Sequence, residues 1–387
     1  MAAQWKIGDR IQNRWEINKI LGGGMGIVYV VYDQKLREVF AAKTFQEEAF
    51  AKNPGTAARF MREAHAWVNL DIHQNVTRAR FVEEIQRKPF LFLEYVGGGD
   101  LGGWIGTPQL KEDLPQVLRF AIQFCDGMIH ALGKGIKAHR DIKPENCLVS
   151  EDRTLKVTDF GLAKVFGDPA ADDSREEGPR DEDRRGGLGI VLSRTGYGAG
   201  TRTHMAPEQF EDFKHVDVRG DVYSFGVMLF QMLTGQLPFH GGRNWEEWKR
   251  LHKATPAPVL DGGLSAVNEV LQECLAKAPE QRFADFGAVR ERLAQIYEKL
   301  TGEPPARPAS GAELKALDWY NKGRNLNNLG RPEEARICYD RASGLTKQLQ
   351  LGFDLVEVDP QLELAWGNKE NAQGKLERPE EALEGEL

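Results

Sequence analysis

An α+β chain in three parts is what the sequence predicts: a β-rich stretch to about residue 96, a helical stretch to about 300, and an all-α tail. β-branched and aromatic residues crowd the first part, apolar residues recur at helical spacing in the second, and a Pro-rich linker, TGEPPARPASG at 301–311, sets off the third. Taken in order, Trp15-Glu16-Ile17, Ile27 to Tyr32 and Val39 to Phe45 read as strands, with the glycine-rich LGGGMG between the first two. Thr56 to Leu70 reads as a helix with Phe60, Ala64, Trp67 and Val68 inward, and Phe90 to Tyr95 as another strand. Helical spacing begins again at Leu114 and returns in Asp221 to Leu233 and Leu264 to Leu300. Residues 167–187 hold eight acidic and four basic side chains and almost nothing apolar, the composition of a disordered insert.

The tail, 312–387, repeats itself. Trp319 and Lys322 return as Trp366 and Lys369, and GRPEEA at 330–335 returns as ERPEEA at 377–382, both after 47 residues. Helical hairpins of tetratricopeptide type repeat every 34 or so residues, so an insertion is expected near Ser343 to Val358. Trp319, Gly323, Leu326, Gly330, Ala335, Tyr339 and Ala342 resemble the small and large positions that let two such helices pack, and a surface of this kind binds a partner protein or peptide.

The 387 residues carry 51 Lys and Arg against 58 Asp and Glu, a formal charge of −7, which argues against a general nucleic-acid or anionic-membrane surface. Four cysteines with no metal-type spacing fit a reducing compartment. With no apolar run of membrane length and early charge at the N-terminus, a cytoplasmic location is expected.

A glycine-rich turn between strands, followed by Lys43 in a third strand, can close backbone N–H groups and an ammonium over nucleotide phosphates. Further on stand His139-Arg140-Asp141-Ile142-Lys143-Pro144-Glu145-Asn146, Asp159-Phe160-Gly161 and Ala206-Pro207-Glu208. In this order and at these separations they resemble the protein-kinase signature set, nearest the bacterial eukaryotic-like (Hanks-type) serine/threonine kinases, over about Trp15 to Leu300.

The resemblance implies a bilobal protein-kinase fold across 1–300, with the N-lobe about 1–96 and the C-lobe about 97–300. It also implies transfer of the γ-phosphoryl group of ATP, with Mg²⁺ or in its place Mn²⁺, to Ser or Thr hydroxyls of proteins. By the same resemblance Lys43 holds phosphates and pairs with Glu63, Asp141 takes or orients the substrate hydroxyl proton, Lys143 approaches the γ-phosphate, and Asn146 and Asp159 hold the metal. Leu21, Gly22, Gly23, Gly24 and Gly26 form the phosphate loop, with Leu21 where the family's first glycine belongs. Val28, Ala41 and Leu148 would sandwich the adenine, Glu94 to Val96 would form the hinge behind the gatekeeper Leu93, and Asp100 would meet the ribose. Asp221 and Arg282 resemble structural residues, the latter a partner for Glu208. Arg140 beside Asp141 implies activation by autophosphorylation, with Thr195 the first choice, Ser193 and Thr203 the others, and Thr201 a bonding partner of the catalytic residues. The competing reading is a nucleotide-binding pseudokinase scaffold that acts through the repeats.

Overall fold

A computed structural model describes residues 5–22, 26–44, 55–160, 202–212, 216–241, 244–308, 316–328 and 331–352. Six antiparallel strands form one sheet: β1 (Arg10–Ile11), β2 (Trp15–Gly22), β3 (Ile27–Asp33), β4 (Glu38–Thr44), β5 (Ala79–Ile85) and β6 (Lys88–Glu94), in the order β1-β2-β3-β4-β6-β5. Trp15, Ile17, Tyr29, Val31, Phe40, Ala42, Phe90 and Phe92 come from alternating positions and fill one face of it. The other face receives helix α1 (Gly55–Val68), where Phe60, Ala64, Trp67 and Val68 are buried as the helical spacing requires. Asp33 ends β3 by accepting from the backbone of Lys35 and Leu36 and from the Trp15 indole, which closes the turn into β4.

The helical part is built on α2 (Leu114–Gly133) and α3 (Val218–Thr234), capped at their N-termini by Asp113 and Asp217. Around them lie the short hairpin β7 (Cys147–Val149) and β8 (Leu155–Val157), then α4 (Trp245–Ala254), α5 (Ser265–Cys274) and α6 (Phe286–Thr301). The helical spacing over Leu264 to Leu300 is thus two helices. Pro279, lacking an N–H, starts a short turn at Pro279–Gln281 instead of continuing the first. Strand β5 and helix α4 were not expected from the sequence, and β1 is too short to leave a pattern.

Past the linker, α7 (Ala316–Asn328) and α8 (Pro332–Gly352) form a helical hairpin. Gly323 is required there, because a Cβ would sit 2.7 Å from the Tyr339 ring. Tyr320, Leu326, Ala335, Tyr339 and Ala342 make its core. The insertion expected near Ser343 is, as far as Gly352, a continuation of α8. The second copy of the repeat and the acidic stretch 167–187 lie outside the described residues.

Candidate active site

Between the sheet and the helical part, three chain segments bring polar groups together. Lys43 reaches from β4, and its Nζ donates to both carboxylate oxygens of Asp159 at 2.6 Å. Asp159 follows β8 and holds φ of 65°, a left-handed backbone that an aspartate tolerates better than most residues. Asp141 is buried, and its Oδ2 accepts from Lys143 Nζ at 2.8 Å and Asn146 Nδ2 at 3.0 Å. Asn146 Nδ2 also bonds to the Asp141 carbonyl at 2.7 Å, so the loop from 141 to 146 is closed on itself. Thr158 N donates to Asn146 O at 3.0 Å, which sets this loop beside Asp159.

The loop is held from below. Asp221 in α3, wholly buried, accepts from His139 N at 2.6 Å and Arg140 N at 2.7 Å. These bonds fix Arg140 at φ 67°, and so the direction in which Asp141 leaves the loop. Burial pushes the Asp221 carboxyl up from its usual range, opposed by the His139 imidazole and the two N–H bonds. The His139 ring meets Thr158 O at 2.8 Å and packs against Phe160, which packs in turn against Trp67 of α1. These rings therefore join the loop that Asp221 holds, the Asp159 segment and α1. The Arg140 guanidinium donates to Val216 O at 3.2 and 3.3 Å.

The expected residues fall as follows. Val28 stands opposite Lys43 in the β3–β4 register, and Ala41 stands opposite Leu93, both half-buried. Leu148 is bridged to Asp100, so these two lie together on the helical side of the cleft. Asp100 also caps a helical turn by accepting from Gly103 N at 3.1 Å. Glu94 spends its backbone N–H on Arg78 O and its carboxylate on Arg78 N and Lys156 Nζ, tying the end of β6 to β8. Val96 follows two residues later. Leu21 pairs with Val28 and Gly22 with Ile27, which brings Gly26 directly before β3; Gly23 and Gly24 lie outside the described residues. Glu63 lies in α1, its side chain outside the described residues, as are Ser193, Thr195 and Thr201. Thr203 is described, with Oγ1 2.8 Å from His204 Nδ1. Arg282 pairs with Glu208 through two bonds of 2.7 and 2.9 Å.

Sequence reasoning missed Asn75 and Gly127. Asn75 Nδ2 donates to Leu155 O, and its carbonyl accepts from Val157 N, two residues before Asp159. Gly127 of α2 lets Asn75 approach, since a Cβ there would stand 2.4 Å from its carbonyl oxygen. One polar residue in a loop and one glycine in a helix carry no local signature that could have found them.

A hard divalent cation suits this donor set. Asn146 commits its amide NH₂ to Asp141, which leaves its carbonyl oxygen as a hard donor, and the Asp159 carboxylate supplies others. Few protein ligands are what Mg²⁺ takes when phosphates and water complete its shell.

A strand-borne lysine, a closed Asp-x-Lys-x-x-Asn loop and a second aspartate behind β8, all at the joint of a sheet lobe and a helical lobe, define a phosphotransferase cleft of the protein kinase class. The model of the protein kinase domain matches residues 15–297. The chain belongs to the protein kinase family. It is 32% identical over 338 residues to the serine/threonine-protein kinase Pkn1 of Myxococcus xanthus, covering 84% of this chain and 45% of that one. It is 30% identical over 310 residues to PknB of Mycobacterium tuberculosis, covering 78% and 45%. A probable serine/threonine-protein kinase of Bifidobacterium longum, pknA2, is 31% identical over 300 residues, covering 75% and 36%. The chain spans less than half the length of these curated relatives. Among the described residues no helix is long and apolar enough to cross a membrane.

Proposed function

We propose that this chain transfers the γ-phosphoryl group of ATP to Ser or Thr hydroxyls of proteins. The observation that carries the reading is the Asp141 carboxylate, held by Lys143 and Asn146 on a loop anchored to Asp221, facing the Lys43 and Asp159 pair across one cleft. Asp141 orients the substrate hydroxyl and receives its proton. Lys143 beside it neutralises charge that grows on the transferring group, and Lys43 holds the phosphates further in. Mg²⁺, or Mn²⁺ in its place, would be held by Asn146 and Asp159 and supplies charge neutralisation across the phosphates. Lys143, two residues after Asp141, supports Ser/Thr acceptors. The catalytic loop asks little beyond positioning and electrostatics, which is all this transfer needs of a protein.

In this reading the kinase domain occupies 1–300, the linker 301–311, and the tail 312–387 is a short tetratricopeptide-like array that takes a partner protein or peptide. The packing of Gly323 against Tyr339 supports such a hairpin. A cytoplasmic site of action fits the free, buried cysteines Cys125, Cys147, Cys274 and Cys338. Autophosphorylation at Thr195, Ser193 or Thr203 belongs to the same reading. Incorporation of radiolabel from ATP into a generic basic protein, wild type against Asp141→Asn, tests it. Loss of incorporation in the variant is expected, and equal incorporation by the two would overturn the kinase reading in favour of a scaffold.

A further inference from the structure

The hairpin α7–α8 is fastened to the sheet lobe by charge. Asp318 of α7 has a buried carboxylate that meets the Arg78 guanidinium and stands 3.9 Å from Arg80 Nε. Two arginines at the root of β5, each less than a fifth exposed, repel one another; Glu38 and Glu94 offset the charge of Arg80, and Asp318 lies against both arginines. Four residues along α7, Lys322 pairs with Asp71 Oδ1, whose Oδ2 accepts from Lys134 Nζ at 2.7 Å at the end of α2. Arg324 completes the row, with Nη1 3.2 Å from Glu83 and Nη2 donating to Val82 O at 3.0 Å. Burial would raise the Asp71 carboxyl, and the bonds from Lys134 and Lys322 outweigh it and hold the group below its usual range.

The partners Asp71, Arg78, Arg80 and Glu83 lie on one continuous stretch of chain. Asp71 and Arg78 belong to the connection 69–78 that leaves α1 and enters β5, and Glu83 is in β5 itself. That connection is tied to the helical lobe by His130 against Leu70 O and by Thr77 N to Val157 O at 2.8 Å. It is therefore the pivot of α1, the helix that carries Glu63. α7 packs against α1, this connection and β5.

We propose that Asp318, with Lys322 and Arg324, is a positioning residue for phosphoryl transfer: α7 braces the pivot of α1 and so sets the helix that must face Lys43. The proposal rests on the kinase reading and adds to it a part of the chain outside the kinase domain. The full chain is used to test it, as Asp318→Asn, Asp318→Glu, Arg324→Glu, and Arg324→Glu with Glu83→Arg. Steady-state transfer to a generic basic protein is read beside amide hydrogen exchange. Asp318→Asn is expected to lower kcat about fivefold, the size that one packed contact can couple between sites. Exchange should rise over 55–85 and stay unchanged in α3. Asp318→Glu should recover most of the activity, and the Arg324 and Glu83 exchange of charges should recover more than Arg324→Glu alone retains. Unchanged kcat in Asp318→Asn, with or without faster exchange over 55–85, overturns the brace, as does failure of both recoveries. A wild-type chain that transfers no phosphate refutes the kinase reading instead, and the exchange data then judge the grip of α7 by themselves.

Discussion

Asp221→Asn is the substitution that most directly separates holding the catalytic loop from doing its chemistry. The carboxylate of Asp221 accepts two backbone N–H bonds, from His139 and Arg140, in a fully buried setting. Asparagine keeps one acceptor oxygen and turns an NH₂ toward the other donor. One charge-assisted bond is lost and one buried N–H is left unmet, about 2–4 kcal/mol together. Arg140 at φ 67° then has less to hold it in a conformation that costs a non-glycine residue about 1 kcal/mol or more. As it relaxes, Asp141 moves with it, and a displacement of about 1 Å at the reacting centre lowers kcat roughly a hundredfold. Urea unfolding and steady-state phosphoryl transfer on the same preparations give both quantities, with KM for ATP close to wild type because Lys43 and the sheet are untouched. Asp221→Ala, which leaves both donors unmet, should be the less stable of the two. The reasoning fails if Asp221→Asn loses stability yet keeps kcat within threefold of wild type, or if Asp221→Ala is the more stable variant.

Lys43→Ala and Asp159→Ala should each drop kcat below a tenth of wild type while the melt stays cooperative, since both groups face the cleft and neither fills core; more residual activity in either would misplace the site. Gly127→Ala should lose about 1–3 kcal/mol in thermal unfolding despite the better helix former, because its Cβ has 2.4 Å to the Asn75 oxygen. His252 in α4 is buried, and burial, with Lys277 and His204 near it, brings it down to about 3. The unfolded chain takes up this proton near pH 6.5 and the folded chain only near 3, so stability should fall as pH drops through that window, by an amount on the order of 4 kcal/mol for a group so enclosed. Urea midpoints from pH 7 to 4 should show a slope that His252→Gln flattens.

The site was legible because its chemistry is local in sequence. Asp141, Lys143 and Asn146 lie within six residues, and their bonds to one another need only that loop. Lys43 and Asp159 were found separately, and their 2.6 Å pairing is a product of the fold alone. Strand β5 was missed because Glu83 and Glu84 interrupt its apolar pattern, and Glu83 is there to meet Arg324 from a helix 241 residues away. The grip of α7 was illegible for the same reason. In sequence Lys322 stands out only as part of the repeat and Asp318 and Arg324 not at all, and only the position of Arg78, Arg80, Asp71 and Glu83 makes the three an interface.

The run-in to β5 changes how the two lobes can move. After α1 the chain crosses to the helical lobe, where Val76 pairs in parallel with Val157, and then returns to the sheet at Ala79. Among the described residues the lobes are joined side by side at this run-in and at the connection after Glu94, through the bonds between Glu94 and Arg78, and again by α7, which meets β5 and, through Asp71, the end of α2. Neighbouring attachments favour a swing of one lobe about the line through them over a slide of one lobe across the other. The hairpin α7–α8, tied to β5 and through Asp71 to the end of α2, is a brake on that swing.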